Sequence, residues 1–169
     1  MTNMNQIPEQ PELPLICIYK NRGIEIINNE TIKFFNKTSA YSLIQENDDS
    51  EMYSSDMKIL NLEQKTDKFK NTKWNRFLAK TIYNPSFDVT LNWNQIGTYK
   101  LTELKTKIKD CIDKDDDILT QFVDADFFKY KIDESSDFTH LIDNLNKYRF
   151  DIKDEESIWK ENDKWNNKK

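Results

Sequence analysis

From Ser86 to Trp93 the chain reads SFDVTLNW, and Phe87, Val89, Leu91 and Trp93 alternate strictly with Asp88, Thr90 and Asn92. Successive side chains of a strand point to opposite faces, so this run predicts a strand with one apolar and one polar side. Such strands belong to antiparallel sheets covered on one face, because parallel strands are buried on both faces and read as continuous apolar runs. The sequence around it supplies the cover. Apolar residues at helical spacing recur in three places: Trp74, Phe77, Leu78 and Ile82; Leu101, Leu104, Ile108, Cys111 and Ile112; and Phe138, Leu141, Ile142, Leu145 and Tyr148. Each set forms one stripe along a helix. The expected fold class is therefore α+β: a mostly antiparallel sheet of about five to six strands, with three to four helices packed mainly on one face.

Further strands are expected on either side. LICIYK (15–20) and IEII (24–27) flank Asn21-Arg22-Gly23 and read as a hairpin with a three-residue loop whose glycine can take positive φ. TIKFF (31–35), MKILNLE (57–63) and FFKYKI (127–132) have the composition or alternation of strands. The segment from Ser39 to Asp56 reads as a helical turn around AYSLI followed by a polar loop, and Asn94 to Gly97 as a turn. The first long helix is expected over Asp67–Tyr83, with Asn84-Pro85 ending it, and Ser135 or Ser136 is the expected cap of the third. DEESIWKENDKW (154–165) is charged and helical in composition.

The chain has 169 residues, which suits one domain. Three of its four prolines (Pro8, Pro11, Pro14) fall within the first fourteen residues, so 1–14 reads as an extended tail and 15–169 as a single domain with a charged C-terminal segment, 154–169. Ten phenylalanines, seven tyrosines and four tryptophans provide core area that the polar composition would otherwise lack.

Several functions are disfavoured. Net charge is −5, which repels nucleic acid. Cys17 and Cys111 are far apart with no neighbouring histidine, so neither zinc nor a disulfide framework is suggested. Gly23 and Gly97 are the only glycines, which leaves no phosphate-cradling loop. No apolar run is long enough to span a membrane, and the N-terminus has neither a basic start nor an apolar core, so the expected compartment is the cytoplasm. The glycosylation patterns at Asn29 and Asn36 then have no consequence. No cofactor is expected.

The most unusual passage is CIDKDDDILTQFVDADFF (111–128). Asp113, Asp115, Asp117 and Asp124 fall at positions 1, 3, 5 and 12 of a calcium-loop frame, yet Ile118 stands where that loop needs glycine and Asp124 where it prefers glutamate, so no metal is expected. From Asp110 to Asp137 ten acids face three lysines, a balance of −7 that leaves the rest of the chain at +2. Between Ile112 and Phe127 the aspartates have no evident structural task. They either solvate a surface or steer a basic partner.

Asp113, Asp115, Asp116, Asp117, Asp124 and Asp126 are the candidate partner-binding acids, with Tyr130, Trp159 and Trp165 as candidate aromatic anchors beside them. The lysines and arginine of the first helix (Lys68, Lys70, Lys73, Arg76, Lys80) read as its solvent side, and would complement the acids if the chain self-associates. His140, the single histidine, lies off the apolar stripe of its helix without a nucleophile signature.

The function expected from these features is a non-catalytic, stoichiometric inhibitor. Its concrete form is an immunity protein whose acids cover the basic active site of a bacterial nuclease-type toxin. The alternatives are a small hydrolase-like enzyme using clustered carboxylates or His140 with Cys111 or a serine, and an accessory subunit of a larger assembly.

Overall fold

The computed structural model describes residues 10–19, 23–44, 50–114, 119–120, 123–150 and 155–167. Within them the class is α+β, as expected. Five antiparallel strands form the main sheet in the order β2-β1-β4-β5-β7: β1 Leu15–Tyr19, β2 Gly23–Ile27, β4 Ser50–Tyr53, β5 Lys58–Lys65 and β7 Thr90–Thr98. A separate pair joins β3 Lys37–Ser39 to β6 Ser86–Asp88. Six α-helices accompany them: α1 Ala40–Ile44, α2 Lys73–Thr81, α3 Leu101–Asp113, α4 Ala125–Glu134, α5 Phe138–Leu145 and α6 Glu155–Asn166. A 3-10 segment occupies Thr31–Asn36 and a π-helical turn Asn146–Phe150.

The period of two along the strands divides the core into layers. Ile16, Ile18, Ile24, Ile26 and Tyr53 point to one face, where Leu104, Ile108, Phe127, Phe128, Leu141 and Leu145 of α3, α4 and α5 cover them. Leu15, Cys17, Ile27, Met52 and Leu60 point to the other, against Ile32 of the 3-10 segment, with Leu13, Phe35, Leu91 and Trp93 at the margin. The helical layer lies over the β2-β1-β4 side. Farther out, the same sheet face carries Asn61, Glu63, Asn92 and Asn94 on β5 and β7. A third, small core holds Ala40 and Ile44 of α1 and Ala79 of α2, with Phe69 and Phe87 packed against it.

Several expectations require correction. FFKYKI belongs to α4: Phe128 and Ile132 are also i and i+4, and the Asp124 carboxylate accepts from the Asp126 and Phe127 amides, which starts a helix rather than a strand. TIKFF is the 3-10 segment, opened by the Asn28 side chain accepting from the Glu30 and Thr31 amides. Ser50–Tyr53, expected within a loop, is a central strand paired with β1 and β5. SFDVTLNW breaks at Val89 into β6 and β7, and β7 runs on through Asn94–Gly97, with Ile96 as the extra residue of a bulge opposite Ile59 and Leu60.

Gly23 opens β2 opposite Tyr19, and neither glycine has positive φ; Lys20, Asn21 and Arg22 lie outside the described residues. Helix α2 starts at Lys73, capped by Thr72, rather than at Asp67. Asp137, not a serine, caps α5: its carboxylate accepts from the His140 amide at 2.8 Å. Ser135 instead is buried and holds Asn144, whose amide donates to its hydroxyl at 3.0 Å.

Candidate functional site

The acids of the expected site gather where α3 and α4 meet. The two helices run antiparallel, because Lys109 pairs with Asp133 at 2.7 Å and Asp113, one turn later on α3, pairs with Lys129, one turn earlier on α4. That arrangement sets the last turn of α3, with Asp110 and Asp113, against Lys129–Asp133 of α4, and the first turn of α4, with Asp126 and its cap Asp124, extends past the end of α3. Asp115, Asp116 and Asp117, which connect them in sequence, lie outside the described residues.

The two ends differ in what their charges do. At α4 the acids suit the helix: Asp124 caps it, and Asp126 sits at the positive end of its dipole. The expectation that these aspartates have no structural task is therefore wrong for Asp124, which also donates its backbone N–H to Asn162 of α6 at 3.3 Å. At α3 the acids oppose the helix. Its last turn has no basic residue, so Asp110 and Asp113 stand at the negative dipole end, and Lys129 reaches across from α4 to offset one of them. Exposed acids at that position weaken the helix, which the ion pair with Lys129 offsets at Asp113.

The expected aromatic anchors separate. Trp165 is partly buried and packs on Phe127 and Tyr130, with ring centroids 5.8 and 6.1 Å away, so it closes α6 onto α4. The Tyr130 hydroxyl donates to Glu134, which raises the phenol pKa and, together with Lys131, holds the carboxyl below its ordinary range. Trp159 remains 47% exposed on α6. Glu155 precedes it by four residues and Asp163 follows it by four, so both acids share its face.

One exposed surface was not foreseen. The stripe expected to pack α2 faces solvent: Trp74 is 65%, Phe77 50% and Ile82 76% exposed, followed by Tyr83 at 66%. The helix buries Ala79 instead, in a small cluster with Ala40 and Ile44 whose aromatic neighbours are Phe69 and Phe87. Trp74 and Phe77 stack on each other at 5.8 Å beside the exposed cations Lys73, Arg76 and Lys80.

The residues weighed for catalysis do not come together. Cys111 is wholly buried in the main core, whereas His140 is exposed on α5, its Nδ1 accepting from the Ser136 amide at 3.3 Å. Shifted acids elsewhere are structural. Burial raises the Glu51 carboxyl, but hydrogen bonds from Lys107 and Tyr53 outweigh it and the net shift is downward. Burial pushes the Tyr53 phenol far up, with Glu51 adding to it. Tyr148 and Lys147 hold Glu161 in the same way.

A cleft of about 770 Å³ between α1, the segment before α2 and the ends of β5 and β7 is open; Lys68 and Asp88 pair at its wall at 3.6 Å. Among the described residues no helix is long and apolar enough to cross a membrane. Searches of protein-family models, curated proteins and solved structures gave no match to this chain.

Proposed function

We propose that this chain is a non-catalytic interaction protein of the cytoplasm that inhibits a basic protein partner stoichiometrically, as an immunity protein covers the active site of a nuclease-type toxin. The observation that carries the reading is the α3–α4 junction. Asp110 and Asp113 oppose the α3 dipole, and the antiparallel α4 carries Asp124 and Asp126 at its start, which supports a reading in which these acids act as one negative field. A concentrated negative field at the surface speeds the approach of a cationic partner and competes with phosphate for a basic cleft. The burial of Cys111 also counts against the cysteine–histidine form of the enzyme alternative.

The test is capture from native lysate on immobilised wild-type chain and on a variant with Asp110, Asp115, Asp116 and Asp117 changed to Lys, which keeps Asp113, paired with Lys129, and Asp124, the cap of α4. The expected result is a basic protein retained by the wild type and lost by the variant, with nuclease activity suppressed in the complex and recovered when high salt separates it. Equal retention by both chains, or an active nuclease in the complex, would contradict the proposal.

A further inference from the structure

The exposed faces of α2 and α6 are opposite in charge and alike in form. On α2, which spans nine residues, the stacked Trp74 and Phe77 stand beside Lys73, Arg76 and Lys80. On α6, which spans twelve, Trp159 stands between Glu155 and Asp163, with Glu156 one turn before it. The fully buried residues of the two helices are few, Ala79 on one and Ile158 with Asn162 on the other, beside the partly buried Trp165, so neither fold nor cap explains Trp74 and Trp159. Large aromatics beside arginine, ringed by charge, are the composition of a protein contact rather than of a solvated surface.

We infer that the occupant of the α2 face is α6 of a second copy of this chain. Charge decides among pairings of these two aromatic-bearing faces. Two α2 faces brought together would set Lys73, Arg76 and Lys80 against their own equivalents, and two α6 faces would oppose acids. The α2–α6 pairing opposes cations to carboxylates around three aromatic rings and matches helices about 13 and 18 Å long. The contact joins unlike surfaces, so each copy keeps one free α2 and one free α6, and assembly proceeds to a closed ring or an open chain of subunits. It uses none of the α3–α4 acids assigned to the inhibited partner and stands independently of that reading.

Sedimentation velocity on the full chain tests it. The expected mass rises with concentration and falls as salt is added. Changing Lys73, Arg76 and Lys80 to Glu weakens association by about tenfold or more, as does changing Glu155 and Asp163 to Lys, because each places like charges in contact. Each variant alone is then monomeric, and mixing the two restores association, since the acidic α2 of one meets the basic α6 of the other. Unchanged unfolding midpoints verify that the variants fold. A wild-type chain that stays monomeric throughout, association strengthened by salt, or a mixture no more associated than its components would each overturn the inference.

Discussion

Helices α4 and α2 each carry a pair of large aromatic residues, and the pairs have opposite fates. Phe127 and Phe128 of α4 are almost fully buried, held by α3, α5, Tyr148 and Trp165. Trp74 and Phe77 of α2 are left in solvent, because among the described residues α2 buries Ala79 in a small cluster with Ala40, Ile44, Phe69 and Phe87. An apolar stripe thus predicts contact without naming the contact's owner. On α4 the neighbours are in the same chain; on α2 they are not among the described residues.

The sharpest way to break this comparison is to remove one ring from the buried side. Phe128→Ala is expected to destabilise the fold by about 3–5 kcal/mol, since it leaves a cavity between the sheet and three helices, and chemical unfolding reads that directly. Asp124→Ala comes next. It removes the cap of α4 and should cost about 1 kcal/mol, while Asp124→Asn, which can still accept the two amide hydrogen bonds, should recover most of it.

Smaller again is the effect of Glu51→Gln. The folded Glu51 carboxyl lies below its ordinary value, so it contributes stability above the unfolded carboxylate range and loses it as pH falls through the folded pKa. The variant should be less stable than the wild type at neutral pH, and the gap should close in acid. The half-exposed pair with Lys107 keeps that difference modest, and a gap that widened on acidification would show that Glu51 acts otherwise.

Much of the framework was legible in the sequence because its signals were local. The β1–β2 hairpin, β5, α1, α3, α5 and its stripe, and α6 all follow from period and composition. What misled was ambiguity that only tertiary contact resolves. Phe128, Tyr130 and Ile132 alternate as in a strand, but Phe128 and Ile132 are also one helical turn apart after an aspartate cap, and the cap decided.

Ser50–Tyr53 is short and polar at its start, yet it occupies the centre of the sheet because β1 and β5 supply partners on both sides. The acids of the α3–α4 junction were evident as a cluster in sequence; their approach in space depends on the antiparallel packing of two helices. The α2 surface was not legible, since a stripe facing a core and a stripe facing a partner are written alike.

The most direct measurement is therefore the unfolding free energy of the double variant Trp74→Ala/Phe77→Ala beside that of Phe128→Ala. If the α2 aromatics are held for contact with another molecule, the double variant loses no more than about 1 kcal/mol, the range of two surface substitutions, and its self-association disappears. A loss of about 3 kcal/mol or more, equal to that of a buried ring, would mean that the stripe belongs to the folding core after all and would contradict the account.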